Sequence, residues 1–311
     1  MIIINNYKSL VIIGNGFDLH LGMKTSYYDF RDYLQNIENN FDILALIEYA
    51  YEGLGNLSSD ATRKVSLWSD FEENLSKINT DEFITGWGKE EEDVLDVEFI
   101  LGKMYEFLYS NFRRWVVCKD IEIKNRTRGV FSKNSCYINF NYTSSLEKWY
   151  NVKRKNIFYI HGEAREHRTI VLGHSGLQYK DEFLEDYQAA IDMETIGSAY
   201  GKINRLVLDY ILKTSKNYKR NLDRLKTWLR DNKSFYFRKI EQVYILGHSI
   251  SNVDYPYYRY LLRHLPKACI WKVSFYDDNE KSRKFQFLKQ NGIKYFELRE
   301  IEAYMQELQL D

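Results

Sequence analysis

The stretch Ser9-Leu10-Val11-Ile12-Ile13-Gly14-Asn15-Gly16-Phe17-Asp18 decides the fold. Leu10 to Ile13 form an unbroken apolar run, the pattern of a strand buried on both faces of a parallel sheet. Gly14-Asn15-Gly16 then permits a tight turn, and a helix follows. Such a unit offers unpaired backbone N–H groups and the positive end of a helix dipole to an anion. It is therefore expected to hold the phosphates of a nucleotide. Leu19 stands where the dinucleotide fingerprint of dehydrogenases has its third glycine. Gly22, Thr25, Tyr27, Asp29, Phe30 and Arg31 follow closely enough to line the same crevice.

Further strand-like runs occur at 136–141, 156–160, 169–173, 242–247, 270–276 and 293–298. Helical patterns separate several of them, most clearly in the last third. There Asp254 is the expected N-cap of a helix reaching Leu265, with Pro256 tolerated in its first turn, and Gly292 stops the next helix. This alternation implies an α/β fold: a Rossmann-like parallel sheet of about six or seven strands. Residues 31–130 and 176–240 read mostly as helix and are taken as helical insertions within a single domain spanning 1–311. Leu222, Leu225, Trp228 and Leu229 share one helical face in the second insertion.

The 44 Lys and Arg balance the 44 Asp and Glu, which counts against a dedicated nucleic-acid binder. Two local biases remain. Asp81 to Glu98 is acidic around Glu90-Glu91-Glu92-Asp93, and Lys213 to Lys239 is basic. Both read as solvated helix faces, with self-association or an anionic partner as the sharper alternative. Cys118, Cys136 and Cys269 are widely spaced and form no Cys-x-x-Cys pair, so no zinc ribbon is expected. No apolar run approaches the roughly 20 residues of a membrane helix, and the N-terminus lacks the marks of a signal peptide. A cytoplasmic protein with reduced thiols is the expectation.

Three later motifs carry chemistry. Asn141, in Asn139-Phe140-Asn141-Tyr142-Thr143, follows a strand; it suits a ribose hydroxyl or a water, or else caps the helix beginning near Thr143. His161, in Ile160-His161-Gly162, also follows a strand and can serve as a general base. Finally, Val171-Leu172-Gly173-His174-Ser175 is echoed by Ile245-Leu246-Gly247-His248-Ser249, and both are expected to close strands. A Ser-His-Asp hydrolase lacks its Gly-x-Ser-x-Gly signature here. A metal cluster of His161, His174 and His248 lacks a His-Glu-x-x-His or paired-carboxylate motif.

In order along the chain, 10–19, Gly22, 25–30, Phe140-Asn141-Tyr142-Thr143, Ile160-His161-Gly162 and Leu246-Gly247-His248-Ser249 with Asp254 resemble the bacterial AbiH family, named for abortive infection against bacteriophage. The same series is similar, more distantly, to the sirtuin-like NAD-binding fold. That resemblance implies Asn141 and His161 as a catalytic pair acting on NAD. It implies a dinucleotide held by Gly14, Asn15, Gly16, Phe17, Asp18, Gly22, Thr25, Gly247, His248, Ser249 and Asp254. Asp18 and Thr143 depart from the pattern, and the zinc cysteines of deacetylating sirtuins are missing. The resemblance therefore implies NAD hydrolysis at the nicotinamide–ribose bond without a metal, rather than protein deacylation. A nucleotide sensor without turnover and a toxin acting through the basic helices are the alternatives. The expected partners are a nucleotide and a second copy or defence protein, with no membrane.

Overall fold

The computed structural model describes residues 7–37, 41–51, 67–68, 70–78, 91–123, 128–175, 180–232 and 235–310. The N-terminal residues 1–6 and Glu90 lie outside them, as do the side chains of Glu91, Glu92 and Asp93. Eight strands are described: β1 (Ser9–Ile13), β2 (Ser135–Asn139), β3 (Ile157–Tyr159), β4 (His174–Ser175), β5 (Ser215–Lys216), β6 (Gln242–Leu246), β7 (Ile270–Phe275) and β8 (Phe296–Glu300). Six of them form one sheet in the order β3-β2-β1-β6-β7-β8, with every neighbouring pair parallel. This is the Rossmann-like α/β sheet expected. Its strand order reverses between β1 and β6, and ligands in such folds lie beyond the carboxyl ends of the strands at that point.

Two compact units divide the chain: Met1–Ser26, Val116–Ile170 and Tyr218–Asp311 form the first, and Tyr27–Trp115 and Val171–Asn217 form the second. The large sheet belongs wholly to the first. Alternation along each strand sends Leu10, Ile12, Ile138, Val243 and Ile245 to one face, where Leu225, Leu229, Tyr258 and Leu261 cover them. Val11, Ile13, Tyr137, Tyr244 and Leu246 go to the other face, under Phe17, Leu146, Tyr304 and Leu308. Each fully buried Val, Leu or Ile contributes about 1.5–3 kcal/mol, so β1, buried at all five positions, anchors both cores. The helix Tyr218–Asp231 packs Leu225 and Leu229 on this sheet, and Ile123 and Phe131 join its other face. The second unit's segments, Tyr27–Trp115 and Val171–Asn217, differ at both ends from the stretches 31–130 and 176–240 that read as helical.

The second unit is mostly helix, with β4 and β5 as a short parallel pair. Phe30, Trp68, Phe71 and Phe112 form its aromatic core; the Trp68 and Phe71 rings stack 5.1 Å apart. The expected strand at 169–173 does not form. A 3-10 segment, Ala164–Thr169, takes its start. Gly173 then adopts φ +143° hard against the Thr214 carbonyl, so regular pairing begins only at His174.

Candidate functional site

Four loops of the first unit leave the carboxyl ends of β1, β2, β3 and β6. Gly14 N–H donates to Leu246 O at 3.0 Å, Gly16 N–H to Gly247 O at 2.7 Å, and Phe17 N–H to Gly14 O at 2.9 Å. A Cβ on Gly16 would stand 2.8 Å from Gly247 O, and one on Gly14 would overlap the His248 backbone. These glycines let two backbones touch. In this loop, expected to hold a nucleotide's phosphates, the N–H groups of Gly14, Gly16 and Phe17 are engaged with carbonyls. The Phe17 ring is buried against Phe131 and Tyr150. Gly22, at φ +83°, ends the short helix Asn15–His20, with its N–H on Leu19 O. Asn15 Nδ2 donates to Thr25 O at 2.8 Å, and Ser249 is exposed.

Asp18 turns away from the loop into the protein. Thr143 Oγ1 and Ser145 Oγ donate to its two carboxylate oxygens at 2.6 and 2.8 Å. Burial pushes its pKa up to about 6, while hydrogen bonds from Thr143, Ser145 and Asn141 pull the other way. The Thr143–Ser145 turn is itself pinned by Asp120, whose Oδ1 accepts from Ser144 N–H and Oγ at 2.6 and 2.7 Å. Asn141 does not cap the next helix, Ser145–Tyr150, whose N-cap is Ser144. Its Nδ2 donates instead to Gly14 O at 3.1 Å.

His161, His248 and Asp254 come together at one point. His161 Nε2 lies 3.4 Å from Asp254 Oδ1, and His248 Nε2 lies 3.3 Å from Asp254 Oδ2. These separations are slightly long for hydrogen bonds but well within direct charge interaction. All three residues are buried. Asp254 was the expected N-cap of the helix Tyr255–His264, yet its side chain makes no capping hydrogen bond. Its carboxylate faces the two imidazoles instead. The Phe140 ring lies edge-on to both imidazoles, 5.5 Å from His161 and 4.3 Å from His248, with Tyr257 and Tyr258 beside it. Tyr142 and Tyr257 also contact His161. Burial, aided by the charge of Asp254, raises the Tyr258 hydroxyl well above its ordinary range, so it stays neutral. Thus Phe140 and Tyr142, the neighbours of Asn141 in sequence, both touch the His161 ring.

The Gly247-His248-Ser249 turn is under visible constraint. Gly247 has φ +61°, and Ile250, a β-branched residue, has φ +54°. Ile250 N–H donates to His248 Nδ1 at 2.9 Å. Composition and spacing gave no signal for the aromatic wall or for Ser145, since each acts across the fold, nor for Ile250, whose positive φ has no mark in a β-branched residue. His174 belongs to the second unit, where its Nε2 lies 2.8 Å from Ile211 O. Among the described residues no group of three or more His, Cys, Asp or Glu is arranged to hold a metal ion.

The family model described as Bacteriophage abortive infection AbiH matches residues 10–275, a span that begins in β1 and contains every residue of this site. The chain belongs to the AbiH family. Membership implies a role in phage abortive infection, the antiviral defence that gives AbiH its name. No curated protein and no solved structure gives a significant match. No helix among the described residues of this AbiH member is long and apolar enough to cross a membrane.

Proposed function

We propose that this AbiH protein acts in phage defence by hydrolysing NAD at the nicotinamide–ribose bond. The observation that supports the reading is the His161 imidazole, oriented by a buried carboxylate at the carboxyl edge of a parallel sheet whose strand order reverses nearby. Nicotinamide is already cationic in NAD and leaves without a proton. Catalysis then needs a stabilised, oxocarbenium-like ribose and one positioned water. His161 takes the proton from that water, and the Asn141 side-chain oxygen orients the water or a ribose hydroxyl. The products are ADP-ribose, nicotinamide and a proton. The spent N–H groups of the glycine loop leave the pyrophosphate to other donors.

Both His161 and Asn141 are buried, so the reading includes a trigger that uncovers them during infection. The test incubates purified protein, from uninfected and phage-infected cells, with NAD and follows nicotinamide release beside His161→Ala and Asn141→Ala. Release by the wild type that both substitutions abolish supports the reading. A wild type inert in both states, or variants as active as wild type, overturns it. A nucleotide sensor would instead gain thermal stability from NAD and release nothing.

A further inference from the structure

The sirtuin-like resemblance implies His248 as a contact to a dinucleotide. Its surroundings assign it different work. Ile250 N–H can only donate, so His248 Nδ1 must be the unprotonated nitrogen. The ring proton of neutral His248 therefore sits on Nε2, which faces Asp254 Oδ2 at 3.3 Å. The same logic reaches across the carboxylate. A bare Nε2 lone pair on His161 would confront the lone pairs of Asp254 Oδ1 at 3.4 Å. His161 is therefore also held with its proton on Nε2, and Nδ1 becomes its basic nitrogen.

We propose that His248 is a positioning residue: locked as the Nε2–H tautomer by the strained Ile250 backbone, it holds the Asp254 carboxylate so that Asp254 presents His161 with Nδ1 as the base. This rests on reading His161 as the general base. Three features support it independently of NAD. One carboxylate lies between two imidazoles. A β-branched residue takes a left-handed backbone conformation that places its N–H on His248, and such strain persists only where surrounding structure enforces it. The Phe140 ring, edge-on to both imidazoles, limits how either can turn.

The experiment has two arms. The first needs no substrate: long-range ¹H–¹⁵N correlation spectra of ¹⁵N-histidine-labelled protein, assigned with His161→Gln and His248→Gln. Both rings are expected to carry the proton on Nε2 in the wild type. A His161 proton on Nδ1 overturns the proposal, even if the protein cleaves NAD. The second arm compares turnover. His248→Phe keeps the ring volume but removes the Nε2–H, and turnover is expected to fall about 10- to 100-fold with the His161 tautomer no longer fixed. His248→Gln restores a donor toward Asp254 and recovers most of that loss. Asp254→Asn keeps the shape, removes the charge and lowers turnover about 100-fold or more. Equal losses in His248→Phe and His248→Gln, with wild-type His161 spectra in both, reduce His248 to packing and overturn the proposal. A wild type inert on NAD but with the expected tautomers sinks the glycohydrolase reading and leaves the assignment standing.

Discussion

Gly173-His174-Ser175 and Gly247-His248-Ser249 are the same three residues in two units of one chain, and they are used differently. In both, the glycine has positive φ and packs where a side chain cannot fit: Gly173 against Thr214 O, Gly247 against Phe17 N. The histidines then diverge. His174 spends its Nε2–H on the carbonyl of Ile211, which ties β4 to the helix Ala199–Lys213. His248 directs its Nε2 at a carboxylate shared with a second histidine. A carbonyl fixes a ring and asks nothing further of it. A shared carboxylate transmits the ring's orientation to its other partner. What the imidazole faces therefore separates the structural turn from the one at the candidate site.

The widest separation, between the site that His248 serves and the His174 turn, is expected in activity. His161→Ala should lower nicotinamide release by about 10²–10⁴-fold, while His174→Phe leaves turnover per folded molecule unchanged; assays on equal amounts of folded protein decide this, and a large loss in His174→Phe would break the contrast. Next come the glycines, where the turns should behave alike. Gly173→Ala and Gly247→Ala should each cost about 3 kcal/mol or more, since backbone strain adds to overlap with backbone atoms. Urea unfolding measures both.

Acid titration should separate the units by sign. Burial raises Asp18 from 3.8 to about 6. The folded state therefore binds its proton more tightly than the unfolded state does, so the Asp18 contribution to stability is full below pH 4 and is lost as pH rises to 6. For His174, burial lowers the pKa below 6.5, helped by the charge of Lys216. Its contribution is lost as pH falls below 6.5, because the unfolded chain then takes up the proton. Unfolding free energies between pH 4 and 7 should show Asp18→Asn and His174→Phe removing slopes of opposite sign. The smallest expected effect is Gly22→Ala, about 1–2 kcal/mol. Gly22 shares the positive φ but has open space where a Cβ would stand. It thus measures the backbone part of the glycine penalty alone.

The sheet was legible because β1, β2 and β6 carry unbroken apolar runs at 10–13, 136–138 and 243–246, and both faces of a parallel sheet are buried. The strand at 169–173 looked the same, but local apolarity carries no record of where Thr214 will lie. The positions of Asn141, His161 and His248 beyond strand ends could also be read, since strand ends are local. Their partners could not. Asp18 meets Thr143 and Ser145 across more than a hundred residues. Asp254 carries the same local signature whether it caps its helix or faces two imidazoles. Which core the helix Tyr218–Asp231 covers was not legible for a similar reason: its amphipathic pattern is the same on either.

The contact between the Gly14–Gly16 loop and the Gly247–His248 turn has one more consequence. In open α/β sheets the gap between these loops is the doorway. Here it is sewn shut, with backbone hydrogen bonds as stitches and missing side chains as the allowance that lets the edges meet. Under the proposed function, NAD reaches His161 beside that seam rather than through it, because parting it would undo the ends of β1 and β6 together.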